Sequence, residues 1–123
     1  MILVDSSVWV DHLRQSDPRL VDLLQTGKVL THPFVVGELA LGSMKNRKAI
    51  LGNLRELPQS PMATDDEAFD FIERNALFGM GIGYIDVHLL AATRLGGGSR
   101  LWTRDKRLAA ASEQLGLSAE QIH

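Results

Sequence analysis

The chain has 123 residues, of which 45% are hydrophobic and 23% are charged. This size and balance fit one folded domain with its own core, and they exclude a disordered chain and two independent domains. The formal net charge of −2 gives no sign of a polyanionic partner, and the absence of cysteine excludes disulfide bonds and thiolate metal sites. Because Asp5 interrupts the apolar start and no apolar run spans a membrane, we expect a soluble cytoplasmic protein.

The first half of the chain alternates short aliphatic runs with signals for helix starts. Pro18 and Pro33 stand where proline favours the first turn of a helix, and Gly27 and Gly42 stand where glycine ends one. The elements predicted over this half are a strand at 2–4, helices at 7–13 and 17–27, a strand at 28–31, and helices at 33–42 and 46–57.

The second half continues this alternation. Residues 58–62 break the helical pattern around a brief strand, and Thr64 with Glu67 forms a capping box that begins the next helix. The elements that follow are a helix at 64–78, a loop at 79–83, a helix at 84–95, a strand at 100–103, a helix at 105–115 and a weak last strand at 117–123. Short apolar strands between helices indicate a parallel sheet flanked by helices, so we predict one three-layer α/β domain over residues 1–123.

Two acidic residues lie on helix faces that are otherwise apolar. Glu38 is three positions from Val35 and Leu41, and Asp86 is three positions from Leu89. A carboxylate on an apolar face loses hydration, at an effective cost of several kcal/mol unless a partner compensates it. Each of these residues therefore marks a place where a compensating partner is expected.

Two further acids follow predicted strands. Asp5 comes directly after residues 2–4, and Asp105 comes soon after the strand at 100–103. Ligands of open parallel sheets bind at the carboxyl ends of the strands, where the order of the chain reverses. If these acids converge there with Glu38 and Asp86, their charges need a counter-ion, and Mg²⁺ suits an all-oxygen ligand set.

Each of the four acids also has an ordinary structural interpretation. Asp5 and Asp105 stand where a helix N-cap is expected, and Glu38 and Asp86 each fit an ion pair with an arginine from another element. All four interpretations together require unrelated coincidences. The sequence therefore favours a shared acidic site, with caps and ion pairs as the alternatives.

Four blocks of sequence surround these acids, namely ILVDSSVW at 2–9, VGELALG at 36–42, YIDVHLLAA at 84–92 and LWTRDKRL at 101–108. In these blocks and in their order, the chain resembles the PIN-domain family, and within it the VapC-like toxins. The resemblance covers essentially the whole chain. Any one block is a weak signal, whereas four in the same order are a strong one.

The resemblance implies a parallel sheet with an acidic pocket that binds one or two Mg²⁺ or Mn²⁺ ions. It implies an endoribonuclease that cleaves single-stranded RNA or structured RNA such as tRNA, leaving 5′-phosphate and 3′-hydroxyl ends. It also implies a homodimer and an antitoxin partner whose tail crosses the pocket. The positions that match the family's catalytic acids are Asp5, Glu38, Asp86 and Asp105, and those that match its small hydroxyl residues are Ser6 and Thr103.

Hydrolysis at such a site divides the acids by role. We assign direct metal contact to Asp5 and Asp86, and contact through water to Asp105. Glu38 positions or deprotonates the attacking water. Replacement of Asp5 or Asp86 by alanine is therefore expected to abolish cleavage.

Basic residues follow Asp105, where some relatives carry a further acid. We therefore expect one metal ion, and we predict that Arg104, Lys106 and Arg107 bind RNA phosphates beside the pocket. The basic cluster at 45–48 is more simply a solvated face. The chain holds 13 Lys and Arg against 15 Asp and Glu, so setting the four catalytic acids aside leaves 11 acids and an excess of two positive charges.

Three other classes of protein share part of this pattern. A receiver-type phospho-signalling domain needs an acid at the end of a middle strand, and residues 39–55 contain none. A haloacid-dehalogenase-like phosphatase needs Asp-x-Asp after its first strand, and this chain has Asp5-Ser6-Ser7. The third alternative is a PIN-like module that binds RNA or protein without cutting, and the retention of all four acids argues against it.

Overall fold

The helices and strands occur in the predicted order. The computed structural model describes residues 1–119 of the protein. Its strands are β1 (Ile2–Val4), β2 (Val29–Leu30) and β3 (Arg100–Trp102). Its helices are α1 (Ser6–Arg14), α2 (Pro18–Gln25), α3 (Pro33–Ala40), α4 (Arg47–Glu56), α5 (Asp65–Asn75), α6 (Tyr84–Leu95) and α7 (Lys106–Gln114).

The sheet has the order β2-β1-β3, and both pairs of strands are parallel. Leu3 of the central strand is paired with Leu30 on one side and with Leu101 on the other. β1 is aliphatic and buried at every position, as expected for a parallel strand that helices cover on both faces. The predicted α/β class with a short parallel sheet is confirmed.

The connections of the sheet place a cleft beside β1. The chain passes from β1 to β2 on one side and then to β3 on the other, so its order reverses at β1. Because the strands are parallel, their carboxyl ends lie at the same edge of the sheet. That edge leads into α1, α3 and α7, whose first residues therefore surround the reversal point. This is the place where open parallel sheets bind ligands.

Two helix starts carry side-chain caps, of which the sequence predicts the one at α5. The Asp17 side chain accepts hydrogen bonds from two backbone N–H groups at the start of α2. At α5, the backbone N–H of Thr64 donates to Glu67 at 2.9 Å, and the backbone N–H of Glu67 donates back to the Thr64 hydroxyl at 3.1 Å. α5 ends at Asn75, earlier than the predicted residue 78, because Ala76 adopts a left-handed conformation with φ of 50°.

The weak strand signals correspond to single bridges. Thr31 pairs with Gln59, so the brief strand expected at 58–62 is reduced to one residue. Leu101 pairs with Ser118, which is the part of the predicted strand at 117–123 that forms a bridge within residues 1–119. The remainder of that prediction, from residue 120 onward, lies outside the described residues.

The hydrophobic core surrounds the sheet and includes both tryptophans. Leu3, Leu20 and Leu89 are fully buried, and Trp9 and Trp102 are nearly so. Burial of one such aliphatic side chain contributes roughly 1.5–3 kcal/mol, so the core holds the strand ends in place. Within residues 1–119, no helix combines the length and apolarity needed to cross a membrane.

Candidate active site

The four acids singled out in the sequence line one open cleft at the carboxyl edge of the sheet. The cleft has a volume of about 500 Å³. Its lining residues are Asp5, Ser6, Ser7, Val10, Asp11, Glu38, Asp86, Arg104 and Asp105. We call this feature the acidic cleft. It joins parts of the chain that are about a hundred positions apart, as parallel strand ends allow.

Asp5 is the most buried of the four acids. It follows β1, is 5% exposed, and accepts hydrogen bonds at Oδ2 from the hydroxyls of Ser7, at 2.7 Å, and Thr103, at 2.8 Å. It occupies the N-cap position of α1, but its side chain makes no cap hydrogen bond. The alternative interpretation of Asp5 as a helix-capping side chain is therefore wrong.

Asp105 does cap a helix. Its Oδ1 accepts hydrogen bonds from the backbone N–H groups of Arg107 and Leu108 at the start of α7, both at 3.0 Å. Its own backbone N–H donates to the hydroxyl of Thr103 at 3.1 Å. The interpretation of Asp105 as a helix cap is therefore right. Because both cap hydrogen bonds end on Oδ1, Oδ2 is not used by the cap.

Glu38 and Asp86 enter the cleft from α3 and α6. Glu38 accepts a hydrogen bond at Oε1 from the Ser6 hydroxyl at 3.3 Å, and Asp86 accepts one at Oδ2 from the backbone N–H of Gly83 at 3.0 Å. The apolar face expected around Glu38 is only partly buried, since Leu41 is 90% exposed. α3 ends at Ala40, so Leu41 lies beyond the helix and does not cover the carboxylate.

None of these four carboxylates forms an ion pair with another residue of the described chain. Within residues 1–119, each of them also leaves one oxygen without a hydrogen-bond partner from the protein. The arginine pairs considered as alternatives for Glu38 and Asp86 are therefore not formed there. The basic residue in the cleft lining is Arg104, and its guanidinium contacts Asp11 and Asp17 instead.

The acids of the cleft act on one another electrostatically. Burial raises the pKa of Glu38, and the charges of Asp5 and Asp86 raise it further. Burial likewise raises the pKa of Asp86, with the charges of Asp5 and Asp105 adding to it despite the hydrogen bond from Gly83. Carboxylates whose pKa values are raised by burial and by like-charged neighbours are suited to hold a cation.

The donor set of the cleft fits a hard divalent cation. Its groups are carboxylate and hydroxyl oxygens, which Mg²⁺ prefers, and it contains no sulfur ligand. Within residues 1–119, no group of three or more His, Cys, Asp or Glu side chains is already spaced to hold a metal ion. Because Mg²⁺ keeps several of its waters and is usually bound through one or two carboxylates, the cleft fits a hydrated ion.

Ser7 is a site residue that sequence reasoning missed. The sequence suggested Ser6 and Thr103 as the supporting hydroxyl residues; Ser6 lines the cleft and donates to Glu38, and Thr103 is buried and donates to Asp5. Ser7 makes more contacts: it donates to Asp5, lies 3.3 Å from the Thr103 hydroxyl, and accepts from the backbone N–H of Arg104 at 2.9 Å. The sequence signal was the second hydroxyl of the Ser-Ser pair after β1.

The predicted RNA-binding residues occupy three different environments. Arg104 is held by two aspartates, whereas Lys106 is exposed at the start of α7. Arg107 packs against Gly81, where an added Cβ would come within 2.8 Å of its Nη1. In the other basic cluster, Arg47 donates to the backbone carbonyl of Ala40 at 2.7 Å.

Comparison with known proteins agrees with this architecture. The sequence profile of the PIN domain matches residues 2–114, and the chain belongs to the PIN-domain family. It is 50% identical over 123 residues to the protein named Ribonuclease VapC32 of Mycobacterium tuberculosis, both in strain CDC 1551 / Oshkosh and in strain ATCC 25618 / H37Rv. That alignment covers 99% of this chain and 99% of each relative, so the resemblance to VapC-like proteins is confirmed.

A solved structure shares the fold at much lower identity. The crystal structure of PAE2754 from Pyrobaculum aerophilum superposes with a TM-score of 0.66, covering 92% of this chain and 85% of that one. The two sequences are 15% identical. The likeness therefore establishes the fold alone and carries no information on the chemistry of the cleft.

Proposed function

We propose that this chain is a divalent-metal-dependent endoribonuclease, the toxin of a toxin–antitoxin pair, and that it hydrolyses RNA in the acidic cleft. The observation that carries the proposal is a group of four carboxylates, from distant parts of the chain, that has no cationic partner within residues 1–119. The name of the relatives, Ribonuclease VapC32, supports RNA as the substrate.

The catalytic group comprises Asp5, Glu38, Asp86 and Asp105, with Ser6, Ser7 and Thr103 in support. When bound, Mg²⁺ or Mn²⁺ supplies charge neutralisation for a phosphate and a water of lowered pKa. We assign direct metal contact to Asp5 and Asp86, which line the cleft and each keep one carboxylate oxygen without a hydrogen-bond partner within residues 1–119. We assign contact through water to Asp105, because its cap hydrogen bonds fix it at the start of α7.

Glu38 is the residue best suited to accept a proton from the attacking water. Burial and the neighbouring acids raise its pKa, which brings its proton affinity closer to that required of a general base at neutral pH. The Ser6 hydroxyl orients the carboxylate through Oε1 and leaves Oε2 for the water. Attack opposite the ribose 3′-oxygen gives the proposed products, which end in 5′-phosphate and 3′-hydroxyl.

Recognition of the substrate and of other proteins lies outside the carboxylate group. Lys106, exposed beside Asp105, and Arg107 are the proposed contacts for RNA phosphates. We also propose an antitoxin partner, a homodimer and a cytoplasmic location, in keeping with the VapC-like relatives.

The proposal is tested by incubating the purified chain with total RNA in Mg²⁺ or in EDTA and mapping the fragment ends. We expect fragments with 5′-phosphate ends in Mg²⁺, and none in EDTA. Asp5→Asn keeps the shape of the side chain and is expected to abolish cleavage. Asp70→Asn is the matched control, because Asp70 is a carboxylate on α5 that pairs with Arg74 at 2.8 Å, outside the cleft.

Two results would count against the proposal. RNA binding of equal strength in Mg²⁺ and EDTA, without fragments, would indicate a PIN-like binding module. Full cleavage by the Asp5→Asn variant would remove Asp5 from the catalytic group. Loss of cleavage in Asp70→Asn as well would mean that the assay reports stability and not the chemistry of the cleft.

A further inference from the structure

Arg104 lies between two aspartates at the rim of the acidic cleft. Its Nη1 is 2.7 Å from Oδ2 of Asp11 in α1, and its Nη2 contacts Oδ2 of Asp17 at the start of α2. Its Cζ lies 5.8 Å from the centroid of the Trp102 ring. The arginine that the sequence suggested for RNA phosphates is therefore already bound by two carboxylates.

The electrostatics of this group favour the internal contacts. Hydrogen bonding to Asp11 and Asp17 raises the pKa of Arg104, despite burial. Burial raises the pKa of Asp17, but two backbone N–H donors and Arg104 outweigh it and hold that pKa below its usual value. One guanidinium between two carboxylates carries a net negative charge, so an approaching phosphate is repelled.

The backbone of Arg104 is connected to the cleft by hydrogen bonds. Its N–H donates to Ser7 at 2.9 Å, and Ser7 donates to Oδ2 of Asp5 at 2.7 Å. On its other side, the Thr103 hydroxyl donates to the same Oδ2 at 2.8 Å and accepts from the N–H of Asp105 at 3.1 Å. The segment 103–105 therefore sets the positions of two acids at once.

We infer that Asp11 and Asp17 clamp Arg104, and that this arginine clamp fixes segment 103–105 so that Asp5 and Asp105 face the cleft correctly. Arg104 is then a positioning residue and not an RNA-binding residue. The clamp ties the end of β3 to α1 and α2, two elements that the chain places far from β3. The inference deepens the proposed function and rests on it only where metal binding and cleavage are measured.

The first test reads the backbone directly. We expect Arg104→Ala to speed amide hydrogen exchange at positions 104 and 105 by at least about tenfold, with the exchange of α5 unchanged. Arg74→Ala is the matched control, since it also removes an arginine from an ion pair, at a site outside the cleft. Unchanged protection at both positions in Arg104→Ala would overturn the inference, and this readout needs neither metal nor RNA.

The second test separates positioning from RNA binding. Loss of a partner that orients a ligating side chain costs about 10–100-fold in metal affinity, so Arg104→Ala is expected to weaken Mn²⁺ binding by at least about tenfold and to lower kcat. KM for RNA and its salt dependence should not change. A higher KM with a salt slope smaller by about one, and normal Mn²⁺ affinity, would instead show a phosphate contact.

The third test uses the aspartates and keeps the arginine. The double variant Asp11→Asn, Asp17→Asn removes both negative charges, while asparagine retains the N-cap of α2. We expect it to reproduce the loss seen in Arg104→Ala, and adding Arg104→Ala to it should cause no further loss. If it strengthens RNA binding instead, Arg104 has been released to the substrate and the clamp is refuted.

Failure of the clamp and failure of the proposed function give different results. If the wild-type chain binds Mn²⁺ but cuts no RNA, the ribonuclease proposal fails, and the clamp is judged on exchange and Mn²⁺ affinity. If the wild-type chain cuts RNA and Arg104→Ala matches it in exchange, metal affinity and kcat, the clamp fails alone.

Discussion

Two groups of acidic side chains lie next to each other at the acidic cleft, and only one of them is paired with a cation within residues 1–119. In the arginine clamp, two carboxylates share one guanidinium. In the acidic cleft, four carboxylates share no cation within residues 1–119. The two groups are adjacent, since Asp11 and Arg104 of the clamp also line the cleft.

The pKa of Asp17 in the clamp is lowered, whereas the pKa values of Glu38 and Asp86 in the cleft are raised. Burial raises the pKa of Asp17, Glu38 and Asp86 alike. Backbone donors and Arg104 reverse the direction for Asp17, whereas neighbouring carboxylates reinforce it for Glu38 and Asp86. Burial therefore acts in the same direction on all three acids, and the donors and charges around each carboxylate decide whether its pKa ends below or above its usual value.

The largest effect that we expect is a loss of RNA cleavage, and it should be larger for a variant of the cleft than for a variant of the clamp. Asp86→Asn removes a proposed metal ligand, and we expect kcat/KM for RNA cleavage in Mg²⁺ to fall by more than about 100-fold, because even outer-shell partners cost 10–100-fold. Asp17→Asn makes the same chemical change in the clamp and should cost at most about tenfold. Equal losses of kcat/KM in the two variants would show that Asp86 and Asp17 do not differ in their importance for cleavage.

As the pH is lowered, the affinity of the cleft for a metal ion should fall before the exposed carboxylates of the surface become protonated. The pKa values of Glu38 and Asp86 are raised, so protons compete with the cation at a pH where exposed acids stay ionised. We expect Mn²⁺ affinity, measured by calorimetry, to fall by up to about tenfold per pH unit for each proton displaced. Glu38→Gln should move the onset of this fall to lower pH, and an unmoved onset would remove Glu38 from the coupled group.

A smaller effect distinguishes the two adjacent serines. Ser7→Ala removes one of the two hydroxyl donors to Asp5, and we expect Mn²⁺ affinity to fall by about tenfold, as for other outer-shell partners. Ser6→Ala removes a longer hydrogen bond, of 3.3 Å, to Glu38 and should have a smaller effect. The reverse order would indicate that the hydroxyl next to Glu38 matters more than the one next to Asp5.

The smallest effect concerns the stability of the metal-free protein. An acid whose pKa is raised by folding stabilises the fold at low pH, and that stabilisation is lost as the pH rises through the raised value. In EDTA at neutral pH, Glu38→Gln and Asp86→Asn should therefore raise Tm, with the smaller rise for the more exposed Glu38. The pKa of Asp17 is lowered, so Asp17→Asn should lower Tm there and become harmless in acid.

Calorimetric melting of the three variants in EDTA checks these signs. Added Mg²⁺ should stabilise the wild-type chain and reverse its order relative to Asp86→Asn, since only the intact cleft binds the ion. A decrease in Tm for both Glu38→Gln and Asp86→Asn in EDTA would show that their carboxylates are stabilising, contrary to the electrostatics of the cleft.

The fold and the four acids could be predicted because their signals are local. Aliphatic runs, caps such as Thr64 with Glu67, and prolines at helix starts each depend on a few neighbouring residues. Asp5 and Asp105 each follow a strand. Because β1 and β3 are parallel, both residues lie at the same edge of the sheet. The structure does bring the acids together, and their catalytic roles stay a prediction.

The hydrogen bonds and ion pairs around the cleft could not be predicted, because they depend on side-chain orientation and on residues that are distant in the sequence. Which of Ser6 and Ser7 turns toward Asp5 is set by the exact phase of α1. The partners of Arg104 lie 93 and 87 positions away in the chain, so its neighbours in sequence suggested a phosphate instead. The apolar face around Glu38 was overestimated because the helix stops before Leu41.

We expect the carboxylates of Asp5, Asp86 and Asp105, which come from distant segments of the chain, to share one cation. Crystals soaked in Mn²⁺ and measured at the manganese absorption edge test it directly, because the ion's own anomalous signal locates it. We expect one peak in the cleft, bonded to Asp5 and Asp86 and joined to Asp105 by water. An empty cleft at saturating Mn²⁺, or a peak bonded to none of these groups, would contradict it.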